Sequence, residues 1–420
     1  MISTIVKRTF TLARFYPNKG FSRCFSSSLD FHKVSNLEVT NKLEFVETKA
    51  PTPMYSAMDK TGKILDKENT PTLSKEETQA AYRNMLTINL MDQILYEAQR
   101  QGRISFYMTS FGEEAVVGTA LALQKKDYIF SQYREGVVFL QRGMSIEEMM
   151  NQSFSNQYGH GKGRQMPIHY GSKELNLVTI SSPLATQIPQ AVGTAFALKR
   201  EGNGSVVICY FGEGSASEGD FHAALNMAAT IECPVIFYCR NNGYAISTPA
   251  SEQYKGDGIV GRGEGYGIKS IRVDGNDVWA VYTATKMARE YAEKNNKPVL
   301  IEAMTYRVGH HSTSDDSSAY RSKGEVEDWS KRDNPISRLR KYMESKGWWG
   351  NDDELEAKSS LKARVLKALA EAETAKKPSI NDLYAEVYDT IPQNLADQLQ
   401  KTKSLAEKYP DYYKINEFKS

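Results

Sequence analysis

Glu213 stands between glycines in the stretch Tyr210-Phe211-Gly212-Glu213-Gly214-Ser215, directly after the apolar run Val206 to Cys209. A carboxylate at the end of a buried strand costs several kcal/mol unless it meets solvent, a proton or a cation. Other apolar runs end in the same way: Ser131-Gln132-Tyr133-Arg134, Ser181 to Gln187, Arg240-Asn241-Asn242-Gly243-Tyr244 and His310-His311-Ser312 each follow one. Oxygen donors at Glu213 and Asn242, with cationic groups at Arg134, Arg240 and His311, suit a diphosphate held through a hard divalent cation. Magnesium takes carboxylate, amide and phosphate oxygens, and arginines take the remaining phosphate charge. Gly214 and Ser215 precede a helix expected from Asp220, so free backbone N–H groups can face the same anion. A salt bridge from Glu213 to Arg134 or Arg240, with no metal, explains the same residues.

For these clusters to meet, the apolar runs must lie side by side in one sheet. Strands are expected over residues 127–130, 177–180, 206–211, 235–239, 269–273 and 299–304, with helices between them, for example 220–232 and 277–295. Strand alternating with helix predicts an α/β fold: a mostly parallel sheet with helices on both faces, binding its ligand beyond the carboxyl ends of the strands. Ser74 before Lys75-Glu76-Glu77 predicts the start of a long helix that runs to about Gln101, with Leu86, Leu90 and Ile94 on its buried stripe. Pro51, Pro53, Gly62 and Pro71 make residues 29–73 an extended arm, and residues 74–330 form the α/β domain. From 331 to 420 the chain is helical and charged and ends in an aromatic tail with Tyr409, Tyr412, Tyr413 and Phe418.

A net charge of +2 gives no reason to expect nucleic acid, and no apolar run is long enough to span a membrane. Cys24, Cys209, Cys233 and Cys239 form no CxxC pair, so reduced thiols are expected. Gly256 to Gly261 matches GxGxxG but follows no expected strand, and a surface loop is the better reading than a dinucleotide site. His32, His160, His169 and His222 show no metal-ligand spacing. Residues 1–28 are basic and hydroxyl-rich and contain no acid, the composition of a mitochondrial transit peptide.

An acid in a glycine turn followed about thirty residues later by Asn-Asn is similar to the signature of thiamine diphosphate enzymes, with Glu213 where Asp is usual. The longer strings ISSPLATQIPQAVG, ICYFGEGSASEGD, CRNNGYAISTP, EQYKGDGI, SIRVDGNDV and GHHSTSDDSSAYRS closely resemble the alpha-subunit family of the mitochondrial branched-chain 2-oxo acid dehydrogenases, over roughly residues 41–418. The resemblance implies a thiamine diphosphate-binding fold and oxidative decarboxylation of branched-chain 2-oxo acids, with transfer of the acyl group to a lipoyl domain. It implies magnesium at Glu213, Asn242 and the Tyr244 carbonyl, and diphosphate at Arg134, Arg240 and His311, helped by Tyr133, Gly214, Ser215 and Glu218. Ser182 and Leu184 would line the bend of the cofactor; Ser181, Pro183, Thr186 and Gln187 match a potassium site; Ser312 and Ser322 match regulatory phosphorylation sites. His311 is expected to titrate near neutral pH and to assist acyl transfer.

The same resemblance implies a matrix location, a beta subunit in a two-alpha, two-beta tetramer, a lipoyl-bearing acyltransferase core, and a regulatory kinase and phosphatase. The beta subunit would supply the carboxylate that activates the cofactor. A pyruvate dehydrogenase alpha subunit and a non-catalytic cofactor-binding subunit are the alternatives.

Overall fold

The computed structural model describes residues 41–46, 50–69 and 71–419. The chain divides into two units, residues 1–50 and 51–420. In the first, Leu43, Phe45 and Val46 are fully exposed. The expected transit peptide, residues 1–28, lies outside the described residues, as does the arm from 29 to 40.

The second unit is built on a seven-stranded sheet in the order β1-β8-β9-β5-β4-β2-β3, every neighbouring pair parallel. The strands are β1 (Met54–Tyr55), β2 (Tyr128–Phe130), β3 (Leu177–Val178), β4 (Val207–Gly212), β5 (Val235–Asn241), β8 (Lys269–Asp274) and β9 (Val299–Met304), and a separate antiparallel hairpin joins β6 (Tyr244–Ala245) to β7 (Thr248–Pro249). All six expected strands are present, although that at 177–180 shortens to two residues. β1 falls within the expected arm, where it pairs Met54 with Arg272 and Tyr55 with Val273 at the sheet edge.

Successive side chains of a strand face opposite sides, and the central strands use both sides for core. Ile208 and Tyr210 of β4 and Ile236 and Tyr238 of β5 join one apolar cluster, with helices Lys75–Arg100 and Val278–Asn295. Val207, Cys209 and Phe211, with Val235, Phe237 and Cys239, join the other, under helices Gln187–Glu201 and Gly219–Ile231. Cys209, Cys233 and Cys239 are buried free thiols. The long first helix starts in a capping box, with Ser74 accepting from the Glu77 N–H and Glu77 accepting from the Ser74 N–H. Among the described residues no helix is long and apolar enough to cross a membrane.

One buried carboxylate ties the sheet to its loops. Glu302 on β9 is fully buried and accepts from the Ile259 and Val260 N–H groups, from Asn241 Nδ2 at 2.7 Å and from Arg272. The glycine run expected as a surface loop is thereby pinned to the sheet. A Cβ on Gly258 would come within 2.6 Å of both Arg272 and Glu302, and residues Val260–Gly265 form a short helix.

Candidate cation and diphosphate site

β4 and β5 are in register through Gly212 and Arg240, so the residues that follow them, Glu213 and Asn242, emerge side by side. The Asn242 N–H donates to Glu213 Oε2 at 3.3 Å. Both residues line a cavity of about 200 Å³ that also gathers Gln132, Tyr133, Arg134, Leu184, Gly214, Ser215, Glu218, Arg240, Tyr244 and His311. Ile246 and Arg307 complete much of the remaining wall. The turn after β4 can be this tight only with glycine, because a Cβ on Gly214 would stand 2.7 Å from Ala245 Cβ.

Glu213 is 1 % exposed, and its Oε1 has no hydrogen-bond partner. Burial pushes its carboxyl up to about 7, and the Glu113 charge adds to the effect. The salt-bridge alternative for Glu213 is not what the structure shows. Arg240 gives its Nη1 to Glu113 and its Nε to Glu135, and Arg134 lies 3.7 Å from Glu113. Burial alone would raise the Glu113 pKa, but Arg240 and Arg134 hold it below the usual carboxylate range. Glu113 also accepts from Asn242 Nδ2 at 3.0 Å, which turns the amide oxygen toward the Tyr244 N–H, 3.2 Å away.

The cationic wall differs in part from the expectation. Arg240 has its charge matched by two carboxylates; only Nη2, 3.5 Å from Gln132 Oε1, is loosely engaged. Arg307 is 1 % exposed and fills the gap. It reaches the Ile246 carbonyl at 2.8 Å and the Tyr244 carbonyl at 3.5 Å, and its Nε has no partner. His311 Nδ1 lies 3.2 Å from Arg134 Nη2 and 3.3 Å from Arg307 Nη1. Guanidinium groups only donate, so Nδ1 accepts and the ring proton sits on Nε2. Burial, then Arg134 and Arg307, push the His311 pKa down to about 3, so in this cavity the imidazole is neutral where titration near pH 7 was expected.

The remaining expected residues fall in two places. Ser215 lines the cavity with its hydroxyl buried and unpartnered, and Glu218 lines it from an exposed position. Leu184 also faces the cavity, whereas the Ser182 hydroxyl lies 2.6 Å from His169 Nε2. Ser181, Pro183, Thr186 and Gln187 form one turn. Thr186 Oγ1 donates toward the Pro183 carbonyl at 2.9 Å and lies 3.0 Å from Ser181 Oγ, and Gln187 Oε1 is buried without a partner. Ser312 is half-buried in the loop after β9, and Ser322 is exposed and caps helix Lys323–Arg332. His310 is tied within its own loop through Ser317.

Glu113 and Arg307 are absent from the residues singled out in the sequence. Glu113 follows no apolar run, so no local signal marks it. Arg307 lies between β9 and His310, where the rule that found His311 reaches it.

Among the described residues no group of three or more His, Cys, Asp or Glu side chains could hold a metal ion. A cation at Glu213 and Asn242 would therefore depend on oxygens brought by an anionic ligand, which fits the orphaned Glu213 oxygen and the arginines that line the same cavity.

The chain is similar to known proteins over most of its length. The chain is 55% identical over 94% of its length to the protein named 2-oxoisovalerate dehydrogenase subunit alpha, mitochondrial, of Dictyostelium discoideum, covering 90% of that protein. Its identity to the human protein of that name is 55% over 91% of this chain and 87% of the relative. With the Arabidopsis thaliana protein named 2-oxoisovalerate dehydrogenase subunit alpha 2, mitochondrial, it shares 49% over 89% of this chain and 80% of the relative. The model of the family described as dehydrogenase E1 component matches residues 82–381, a span that takes in β2 to β9 and all the cavity's walls. With the parallel sheet and the post-strand cavity in place, the chain belongs to the dehydrogenase E1 component family.

Proposed function

We propose that this chain is the alpha subunit of a mitochondrial-matrix 2-oxo acid dehydrogenase (3-methyl-2-oxobutanoate dehydrogenase, 2-methylpropanoyl-transferring). It decarboxylates branched-chain 2-oxo acids with thiamine diphosphate and passes the acyl group to a lipoyl-bearing acyltransferase. The observation that carries the reading is the unpartnered, buried Glu213 Oε1 beside Asn242, in a cavity that is also lined by Arg134, Arg307 and His311. Bound cofactor supplies the nucleophile and the electron sink for decarboxylation.

The chain's own residues bind and orient. Glu213, Asn242 and the Tyr244 carbonyl hold magnesium, and Arg134, Arg307 and the free edge of Arg240 meet the diphosphate, with Tyr133, Gly214, Ser215 and Glu218 around it. Leu184 and Ile246 present apolar surface at the same cavity. His311 keeps its proton on Nε2, available to the acyl-transfer step, because Arg134 and Arg307 occupy Nδ1. The turn Ser181 to Gln187 gathers hydroxyl, carbonyl and amide oxygens that fit a potassium ion; Ala185 in that turn has φ +67°, a left-handed conformation a bound ion would help to hold. The test is reconstitution with the partner beta subunit and a panel of pyruvate against 3-methyl-2-oxobutanoate. The branched substrate is expected to win, and Glu213→Ala to abolish turnover and magnesium-dependent cofactor binding; full activity of Glu213→Ala would overturn the reading.

The serines of the loop after β9 are read as control points for a kinase and a phosphatase. Asp315 accepts from the His311 N–H at 2.7 Å and from Tyr320 Oη at 2.6 Å, which folds the loop around its charge. A phosphate on Ser312 adds nearly two negative charges between His311 and Asp315 and repels both Asp315 and a diphosphate. Ser312→Glu is expected to lose activity and to open the loop to protease. Wild-type activity with an intact loop would remove Ser312 from regulation.

A further inference from the structure

Helix Lys323–Arg332 rests on the cavity's frame through one carboxylate. Glu325 Oε1 accepts from Tyr244 Oη at 3.1 Å and from Tyr306 Oη at 2.8 Å. The helix is otherwise held by its Ser322 cap, in which Ser322 Oγ accepts from the Glu325 N–H at 3.1 Å, and by Trp329, which stacks on Tyr306 with centroids 5.0 Å apart and planes 3° from parallel. Arg321, just before the helix, sits over the rings of Tyr244 and Tyr306 and donates to the Arg307 and Gly309 carbonyls. The side chain of Tyr244 is thus gripped by the segment that follows β9, while its carbonyl points to Arg307 and its N–H donates to Asn242 Oδ1.

Tyr244 belongs to the two-residue strand β6, which among the described residues pairs with β7 alone. A hairpin so short has little stability of its own. Its placement beside the cavity comes from tertiary tethers, among them Arg307, which reaches the carbonyls of Tyr244 and Ile246, Glu325, which holds the tyrosine hydroxyl, and the rings of Tyr306 and Tyr320 against that of Tyr244.

We infer that Glu325 is a positioning residue: by holding the Tyr244 hydroxyl it fixes the Tyr244 carbonyl for the cation, and couples the cation site to the order of residues 307–325. The inference rests on the proposed function for the identity of the ligand, but the clamp itself involves no cavity-lining carboxylate. Because Glu325 touches neither cation nor diphosphate, its loss should weaken cofactor binding and leave the chemistry of the loaded site intact.

The experiment compares wild type, Glu325→Ala and Glu325→Gln in the reconstituted assembly. Affinity for thiamine diphosphate with magnesium is read by calorimetry, and apparent KM for the cofactor is read separately from kcat at saturation. Glu325→Ala should weaken cofactor affinity about tenfold, the scale of a lost hydrogen bond to a charged group, with kcat at saturation within about twofold of wild type. Glu325→Gln keeps an acceptor oxygen and should restore most of the affinity. With no cofactor present, trypsin should cut faster after Lys323 in Glu325→Ala than in wild type. Unchanged affinity in Glu325→Ala, a Gln variant as weak as Ala, or a fall in kcat with unchanged affinity would each overturn the inference while leaving the proposed function standing. Absence of magnesium-dependent cofactor binding in wild type would overturn both.

Discussion

Two buried glutamates, Glu213 in the cavity wall and Glu113 behind it, have opposite fates because of what surrounds them. Glu113 is fully buried but faces Arg240 and Arg134, and stays ionised; Glu213 is as deeply buried, has only an N–H from Asn242 at 3.3 Å, and rises to about 7. The pairing leaves Glu213 without an arginine partner, since Arg240 is already engaged by Glu113 and Glu135, and this is what suits it to the proposed cation. A third buried acid lies behind them. Asp92 on the first long helix accepts from Tyr107 Oη at 2.8 Å and from the Ser110 N–H, and burial pushes it up to about 8, with Glu114 raising it further and Arg134 opposing. Its folded pKa lies above the unfolded value of 3.8, so its contribution to stability is complete below that value and is lost as pH rises toward about 8. The loss runs at about 1.4 kcal/mol per pH unit through that window. Asp92→Asn can accept from Ser110 and donate to Tyr107, so it should keep both contacts and remove this part of the slope. Denaturant melts at pH 5 to 8 check it: the variant should gain on wild type as pH rises, and a constant difference would show that Asp92 is ionised throughout.

At the scale of elements, the turn after β4 and the β6–β7 hairpin meet where Gly214 leaves no room for a Cβ against Ala245. Gly214→Ala should displace the hairpin and weaken cofactor binding by about tenfold or more, and adding Ala245→Gly should recover most of it, because the two residues are in direct contact. No recovery in the double variant, measured by calorimetry, would mean that Gly214 matters for another reason. The sheet was legible because its strands are continuous apolar runs, as a parallel sheet buried on both faces requires. The same runs led to Glu213, Asn242, Arg134 and His311, since in such sheets the polar residues just beyond the strands line the crevice. Glu113 was not legible. It sits between Gly112 and a short helical turn, and meets the cavity-lining Arg240 only because the 110–116 segment folds back to a residue 127 positions away in the chain. The β6–β7 hairpin was missed for a related reason: each strand has two residues, too few for a periodicity, and tethers from Arg307 and Glu325 place it. β1 escaped notice because an edge strand of two residues between Pro53 and the turn at Gly62 reads as an irregular arm.

Over the whole molecule, the proposed chemistry asks for more than this chain contributes. Activation of thiamine diphosphate needs a carboxylate against its pyrimidine ring, and among the described residues the acids lining the cavity are Glu213, proposed for the cation, and Glu218, proposed beside the diphosphate. Leu184 and Ile246 line the same cavity yet are exposed, and Phe196, Met227 and Ile231 leave further apolar surface on helices Gln187–Glu201 and Gly219–Ile231. Apolar residues bordering a polar cavity in this way suit a site completed by another subunit. The purified chain alone should therefore turn over 3-methyl-2-oxobutanoate at less than about a hundredth of the rate of the assembly with its beta subunit, a loss typical of removing a general acid–base group. Amide exchange around Leu184, Phe196 and Met227 should slow when the partner is added. A single chain that matched the assembly's rate, with an artificial electron acceptor replacing the lipoyl domain in both, would mean that the missing carboxylate lies within this sequence and that the cavity closes without a partner.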